Sequence, residues 1–242
     1  MVLNYIKTEW NKLPWMIIFA VILIGPAVSL WIGFGVPTKA GEGLTPWQWY
    51  FSISIHKYSL FFLPIVTGIF AALLCRFEHL SGGWKRLFTF PVPRSFIYLS
   101  KWIVLILLLL LTQIVFLAGF ITIGTFKGLE GLIPWDLFVK SLLSGLAAAF
   151  PLGTLLLGVS LFWKSFATPF VLNMLFTVPS IIATGSPRLG IWYPWAQPFL
   201  AMMPENHQWA ASVDPLVLTV AVMLYISVFA FSTLYWLAKT DW

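Results

Sequence analysis

The chain has 242 residues, of which 60% are hydrophobic and 9% charged, and its formal net charge is +6. Soluble domains carry roughly 25% charged residues, so this composition cannot cover a water-facing surface and excludes a soluble enzyme or binding module. Nor does any polar segment reach the roughly 40 residues that a soluble domain needs to fold beside the apolar part.

In chain order, residues 1–13 predict a short amphipathic helix lying in the membrane interface. Leu3, Ile6, Trp10 and Leu13 fall at helical spacing on one face, and Asn4, Lys7, Thr8, Asn11 and Lys12 occupy the other. Charge crowds this start, and the apolar run behind it is too long for the core of a cleavable signal, so the run is expected to be retained as a helix. A bilayer crossing needs about 20 apolar residues, and six stretches qualify: 14–35, 50–75, 102–124, 138–162, 166–186 and 215–238. Each must be helical, because lipid offers no partner to a free backbone group and barrel strands would alternate in polarity.

Within these spans, the Gly25–Pro26 pair is expected to kink the first. In the fourth, Gly145, Ala149 and Gly153 are spaced by four and give a small-residue face for close helix packing. Residues 188–213 are apolar but broken by Pro194, Pro198 and Pro204, with Trp192, Tyr193, Trp195 and Trp209 interleaved, which predicts an outer re-entrant or interfacial segment. The fold class is an all-α polytopic membrane protein of six transmembrane helices in a single transmembrane domain, 1–242.

An even number of spans puts both termini on one side. That side receives nine Lys and Arg (Lys7, Lys12, Arg76, Lys85, Arg86, Arg94, Lys101, Lys164, Lys239) against Glu9, Glu78 and Asp241, whereas the other side balances five cations with five carboxylates. The positive-inside rule places both termini in the cytoplasm. The basic charge is therefore topology, and no nucleic-acid partner is expected.

Catalytic signatures are lacking. There is no Gly-rich phosphate loop, so ATP hydrolysis has to come from another chain. His56, His79 and His207 are isolated, and the lone Cys75 allows neither an internal disulfide nor a Cys-based metal cluster, so no catalytic residue and no metal ligand is expected. A secondary transporter would carry acids within its spans for ion coupling, and none lies within these.

The most informative stretch is the first cytoplasmic loop, Arg76 to Lys101, reading RFEHLSGGWKRLFTFPVPRSFIYLSK. Leu80, Trp84, Leu87 and Phe88 recur at helical spacing beside Lys85 and Arg86, predicting an amphipathic helix over 77–90 that Pro91 and Pro93 end. Exposed Trp84 and Phe88 beside charge suit either a surface-lying helix or a docking knob for a cytoplasmic partner. Glu78, Gly82, Lys85, Pro91, Arg94 and Lys101 make the pattern E-x3-G-x2-K-x5-P-x2-R-x6-K without a gap. The stretch so resembles the corresponding loop of ABC-2 type permeases, the membrane subunits of a class of ATP-binding-cassette exporters, and the likeness extends over the whole length.

That resemblance implies a type V exporter-like fold and a role for 77–90 as the coupling helix, with Glu78, Gly82, Trp84, Lys85, Arg86, Pro91, Arg94 and Lys101 at the ATPase contact. It implies two ATPase subunits that bind ATP and Mg, a second permease as homodimer or related heterodimer, and a multi-pass place in a bacterial cell membrane. Small size without a fused ATPase resembles the subgroup that exports lantibiotics and related antimicrobial peptides, often for self-immunity.

Two features are candidates for the substrate pathway. Asn173, Thr177, Ser180 and Thr184 share one helical face of the fifth span, and a polar stripe in lipid must face protein or water. It either lines the pathway, as the resemblance implies for the second and fifth spans, or packs through hydroxyl bonds to the helix's own carbonyls. Lys57, roughly two turns inside the second span, either meets an anionic substrate group or Glu205, or snorkels to the headgroups. The competing function is a membrane sensor or scaffold for antimicrobial peptides that moves nothing.

Overall fold

The computed structural model describes residues 2–35, 43–84, 93–163, 165–203 and 212–239; it is all helical, with no strand among the described residues. α1 (Val2–Asn11) and α2 (Trp15–Phe34) meet at 85°. Pro14 bars Leu13 from the helical region, which ends α1, and then accepts the first amides of α2 from Ile17 and Ile18. α2 runs through Pro26 as one continuous helix. Leu3, on the apolar face of α1, is 79% exposed within the chain, while Glu9 and Leu13 are buried.

α3 (Pro46–Lys57), a π-helical turn (Tyr58–Phe62) and α4 (Leu63–Ser81) follow one another without interruption, and Pro46–Leu80 is long and apolar enough to cross a bilayer. A capping box starts this long helix: Gln48 N donates to Thr45 Oγ1 and Thr45 N to Gln48 Oε1, with Pro46 in the first turn. The π turn lies just before Pro64, which has no N–H and crowds the carbonyl one turn back. An extra residue in the turn relieves the clash, and Leu63 N reaches five residues back to Tyr58 O. Gly82, in the left-handed region at φ 63°, closes α4 and returns its N–H to Glu78 O.

α5 (Arg94–Phe126) leaves Pro93, and α6 (Trp135–Ala148) and α7 (Phe150–Phe162) make one span that is interrupted at Ala149. Pro151 there cannot donate to Ala147 O. α8 (Ala167–Thr177) and α9 (Ser180–Ala183) are followed by α10 (Pro187–Ile191), α11 (Gln197–Met202) and α12 (Pro215–Lys239). By length and composition four helices can cross a membrane: Pro46–Leu80, Arg94–Phe126, Trp135–Phe162 and Pro215–Lys239. The bent pair of α1 and α2 makes a fifth when taken together, and Ala167–Ala183, in the region expected to be the fifth of six spans, is a shorter apolar helix.

Contacts between helix ends fix the topology. Arg94 Nη1 donates to Leu237 O (2.6 Å) and Ala238 O (3.4 Å), joining the start of α5 to the end of α12. His79 Nε2 donates to Ser160 O (2.8 Å), so α4 and α7 also finish at this end, which carries Lys12, Arg76 and Lys101 and is the basic end. At the opposite end Lys127 Nζ donates to Phe34 O (2.6 Å) and holds the ends of α2 and α5 together. Between them an aromatic core fills the space among α3, α5 and α6, with Phe51 4.4 Å from Phe138 and Tyr58 4.2 Å from Phe116, centroid to centroid.

The proline-broken stretch turns inward. Trp195, Phe199 and Met202 are buried, Ser141 Oγ donates to Met202 O, and Tyr225 OH, about 15 Å along α12, donates to Trp192 O (2.7 Å). Gly145 makes room for α11, because a Cβ there would overlap the Met202 side chain. Pro204, Glu205, His207 and Trp209 lie outside the described residues.

Gly145→Val should drive α11 off α6 and cost about 1–3 kcal/mol. Thermal unfolding of the purified protein in detergent should show a lowered midpoint, with exposed Leu143→Val as the unaffected comparison. An unchanged midpoint for Gly145→Val would mean that α11 does not pack there.

Candidate functional site

Four charged side chains converge at the basic end from α1, the turn after it, α4 and α5. Lys12 Nζ lies 2.9 Å from both Glu9 Oε1 and Glu78 Oε1, and Lys101 Nζ lies 2.6 Å from Glu9 Oε2 and 3.0 Å from Glu78 Oε2. Each carboxylate thus bridges both ammonium groups, and the four side chains form a closed ring of alternating sign and zero net charge. Lys101 is fully buried and Glu78 and Glu9 are 1% and 4% exposed. Lys101 Nζ also donates to Leu74 O at 2.6 Å. A lone charge at this depth would cost several kcal/mol, so the ring is stable only as a set.

Trp84 covers the ring. Lys101 Nζ is 5.6 Å from the centroid of its indole, within cation–π range, and Trp84 Nε1 donates to His79 Nδ1 (3.1 Å). His79 therefore carries its proton on Nε2, which it donates to Ser160 O, an assignment that follows from the hydrogen-bond network. A continuous chain of contacts runs from α7 through His79 and Trp84 to the ring that joins α1, α4 and α5.

These positions redraw the loop expected from the sequence. Residues 77–81 are the last turns of α4, and Gly82 ends that helix, so 77–90 does not form one helix. Trp84, expected to project, is 5% exposed because the ring and His79 hold it inward. Glu78 and Lys101 are buried, and Arg94 is spent on the last carbonyls of α12, where a cation meets the negative end of the helix. Lys85, Arg86, Phe88 and Pro91 lie outside the described residues. Glu9 was missed, although it shares a helical face with Ile6 and Leu13 and so had to be buried with them if they were.

The polar stripe faces protein throughout. Asn173 is fully buried, with Nδ2 donating to Pro64 O (2.9 Å) and Oδ1 accepting from Trp195 Nε1 (2.8 Å). Gly68 leaves the gap that admits this amide, since a Cβ there would overlap it. Thr177, Ser180 and Thr184 are buried too and return their hydroxyls to Asn173 O, Thr177 O and Ile181 O of their own segment. Lys57 ends α3 half-buried, with no ion pair among the described residues.

The model of the family described as ABC-2 family transporter protein matches residues 5–180, which includes the whole ring and the stripe as far as Ser180. No curated protein matches the chain significantly.

Removing one member of the ring strands its partners. Lys101→Met should destabilise the protein by about 3–5 kcal/mol, whereas Glu9→Gln with Lys101→Met leaves the balanced Lys12–Glu78 pair and should recover part of that loss. Thermal midpoints of the two variants in detergent decide it, and a double variant no better than Lys101→Met would count against a ring balanced by charge. Gly68→Ala should displace the Asn173 amide and cost about 1–3 kcal/mol in the same measurement, with a midpoint equal to wild type speaking against the tie.

Proposed function

The chain belongs to the ABC-2 family of transporter proteins, and on that premise we propose that it is the transmembrane permease subunit of an exporter driven by ATP hydrolysed in separate subunits. The observation that carries this reading is the charge ring at the root of the first loop. A loop that transmits force needs rigid roots, and here both are clamped: α4 and α5 share Glu78, Lys101 and Glu9, and Arg94 ties α5 to α12. The contact with the ATPase is assigned to residues 83–92, with Lys85, Arg86 and Pro91 touching the partner. Glu78, Gly82, Trp84, Arg94 and Lys101 are positioning residues that set where this segment hangs.

Six crossings are supported by the end contacts. α7 finishes and α12 finishes at the basic end, so the chain between them has to climb to the opposite end before α12 can descend. α8 and α9 begin that climb, and the excess of Lys and Arg at the basic end supports a cytoplasmic side for it and for both termini. Two ATPase subunits, binding ATP and Mg, and a second permease complete the machine. In the pathway, half-buried Lys57 is the candidate for an anionic substrate group, while the stripe from Asn173 to Thr184 shapes the wall by packing. The substrate is an amphipathic peptide of the lantibiotic type, exported from a bacterial cell membrane.

Co-expression with the cognate ATPase tests this. Wild type should co-purify with the ATPase and show peptide-stimulated ATP hydrolysis, and Lys85→Glu with Arg86→Glu should lose both. Arg86→Cys in a Cys75→Ala background should react with a membrane-impermeant thiol reagent only from the cytosolic side. Labelling from outside would overturn the orientation, and ATPase binding without stimulated hydrolysis would favour a sensor of peptides over an exporter.

A further inference from the structure

A cleft of about 200 Å³ opens at the basic end between the last turns of α4, the end of α7 and the start of α8. Arg76 lines it, exposed, its guanidinium carbon 6.0 Å from the centroid of Phe166 and without an acidic partner among the described residues. Of the other polar side chains, His79 uses both ring nitrogens and Ser165 Oγ accepts from Ala167 N at 3.2 Å, while the buried Ser160 Oγ has no partner among the described residues and can add a hydroxyl donor at the cleft wall. The remaining wall is apolar, with Leu80, Trp163 and Phe166 all substantially exposed. The cleft therefore offers one strong donor fork at the rim of a greasy slot.

A guanidinium matches a phosphate with two parallel hydrogen bonds, and the apolar wall suits a ligand whose anion carries a hydrocarbon tail. Arg and Trp together at the end of membrane-spanning helices lie at headgroup depth, where basic pockets between helices hold anionic lipid headgroups. We propose that this cleft binds an anionic phospholipid, with Arg76 on the phosphate and Trp163, Phe166 and Leu80 along the first carbons of the acyl chains. A free phosphate would use Arg76 and leave the apolar wall empty. The site is independent of the ATPase reading, since it needs only the bilayer.

Native mass spectrometry of the full chain in detergent, titrated with phosphatidylglycerol or phosphatidylcholine, tests it. Phosphatidylglycerol should be retained more strongly than phosphatidylcholine, and Arg76→Gln should weaken its retention about fivefold, the value of one cation at a lipid headgroup. Trp163→Ala should weaken both lipids, and Arg188→Gln at the opposite end should change neither. Because Arg76 is exposed and only stacks on Phe166, Arg76→Gln should keep the wild-type unfolding midpoint. Equal retention of both lipids by wild type, retention unaffected by Arg76→Gln, or full displacement of the lipid by millimolar inorganic phosphate would each overturn the assignment.

Discussion

A carboxylate inside a helical bundle keeps its charge only if an ammonium comes with it, and the geometry of this protein at its basic end follows from satisfying that condition twice. Glu9 and Glu78 each bridge Lys12 and Lys101, and no member can leave without stranding the others. Because the four residues come from α1 and the turn after it, α4 and α5, neutralising the charge also brings together elements that are far apart in sequence. Apolar packing alone would let these helices slide over one another. The ring fixes their register, as buried polar groups do where they specify one arrangement over others.

The same economy of polar groups recurs deeper in the bundle. Asn173 enters the gap left by Gly68, reaches a carbonyl of α4 and is held from the other side by Trp195. Pro64, whose carbonyl receives the amide, is also the residue that forces the π turn above it. One proline thus widens the helix on its N-terminal side and supplies the acceptor that draws in α8. The inturned segment around α11 packs against α6, and its burial depends on Gly145.

Much of this was legible in the sequence, for reasons that differ by element. The long apolar runs announced helices because lipid permits little else, and the six-residue pattern of the first loop pointed to the family that residues 5–180 match. Of the small face expected from Gly145, Ala149 and Gly153, Gly145 admits Met202 and Gly153 approaches Leu105, on different neighbours, because the span is interrupted at Ala149. Periodicity could not show which charged residues meet across the bundle: Glu9 and Lys101 are 92 positions apart, and nothing local pairs them. Trp84 looked exposed because an aromatic residue beside Lys85 suggests a surface, and only the position of Lys101 beneath it explains its burial. The stripe from Asn173 to Thr184 was visible as a stripe, but whether it faced water or protein depended on Gly68 and Trp195, which belong to other elements.

The bonds from Arg94 to the final carbonyls of α12 have a mechanical consequence. α12 is the least buried of the four long spans, and its closest packing lies in its last turns, where Trp236 meets Phe162 and Thr233 lies against Gly158. It is pinned at its tip by Arg94 and near its middle by Tyr225, like an oar held at the grip and at the rowlock. A shift of α5 is therefore handed to α12 at the grip, and Tyr225 is the next fixed point at which the helix meets it.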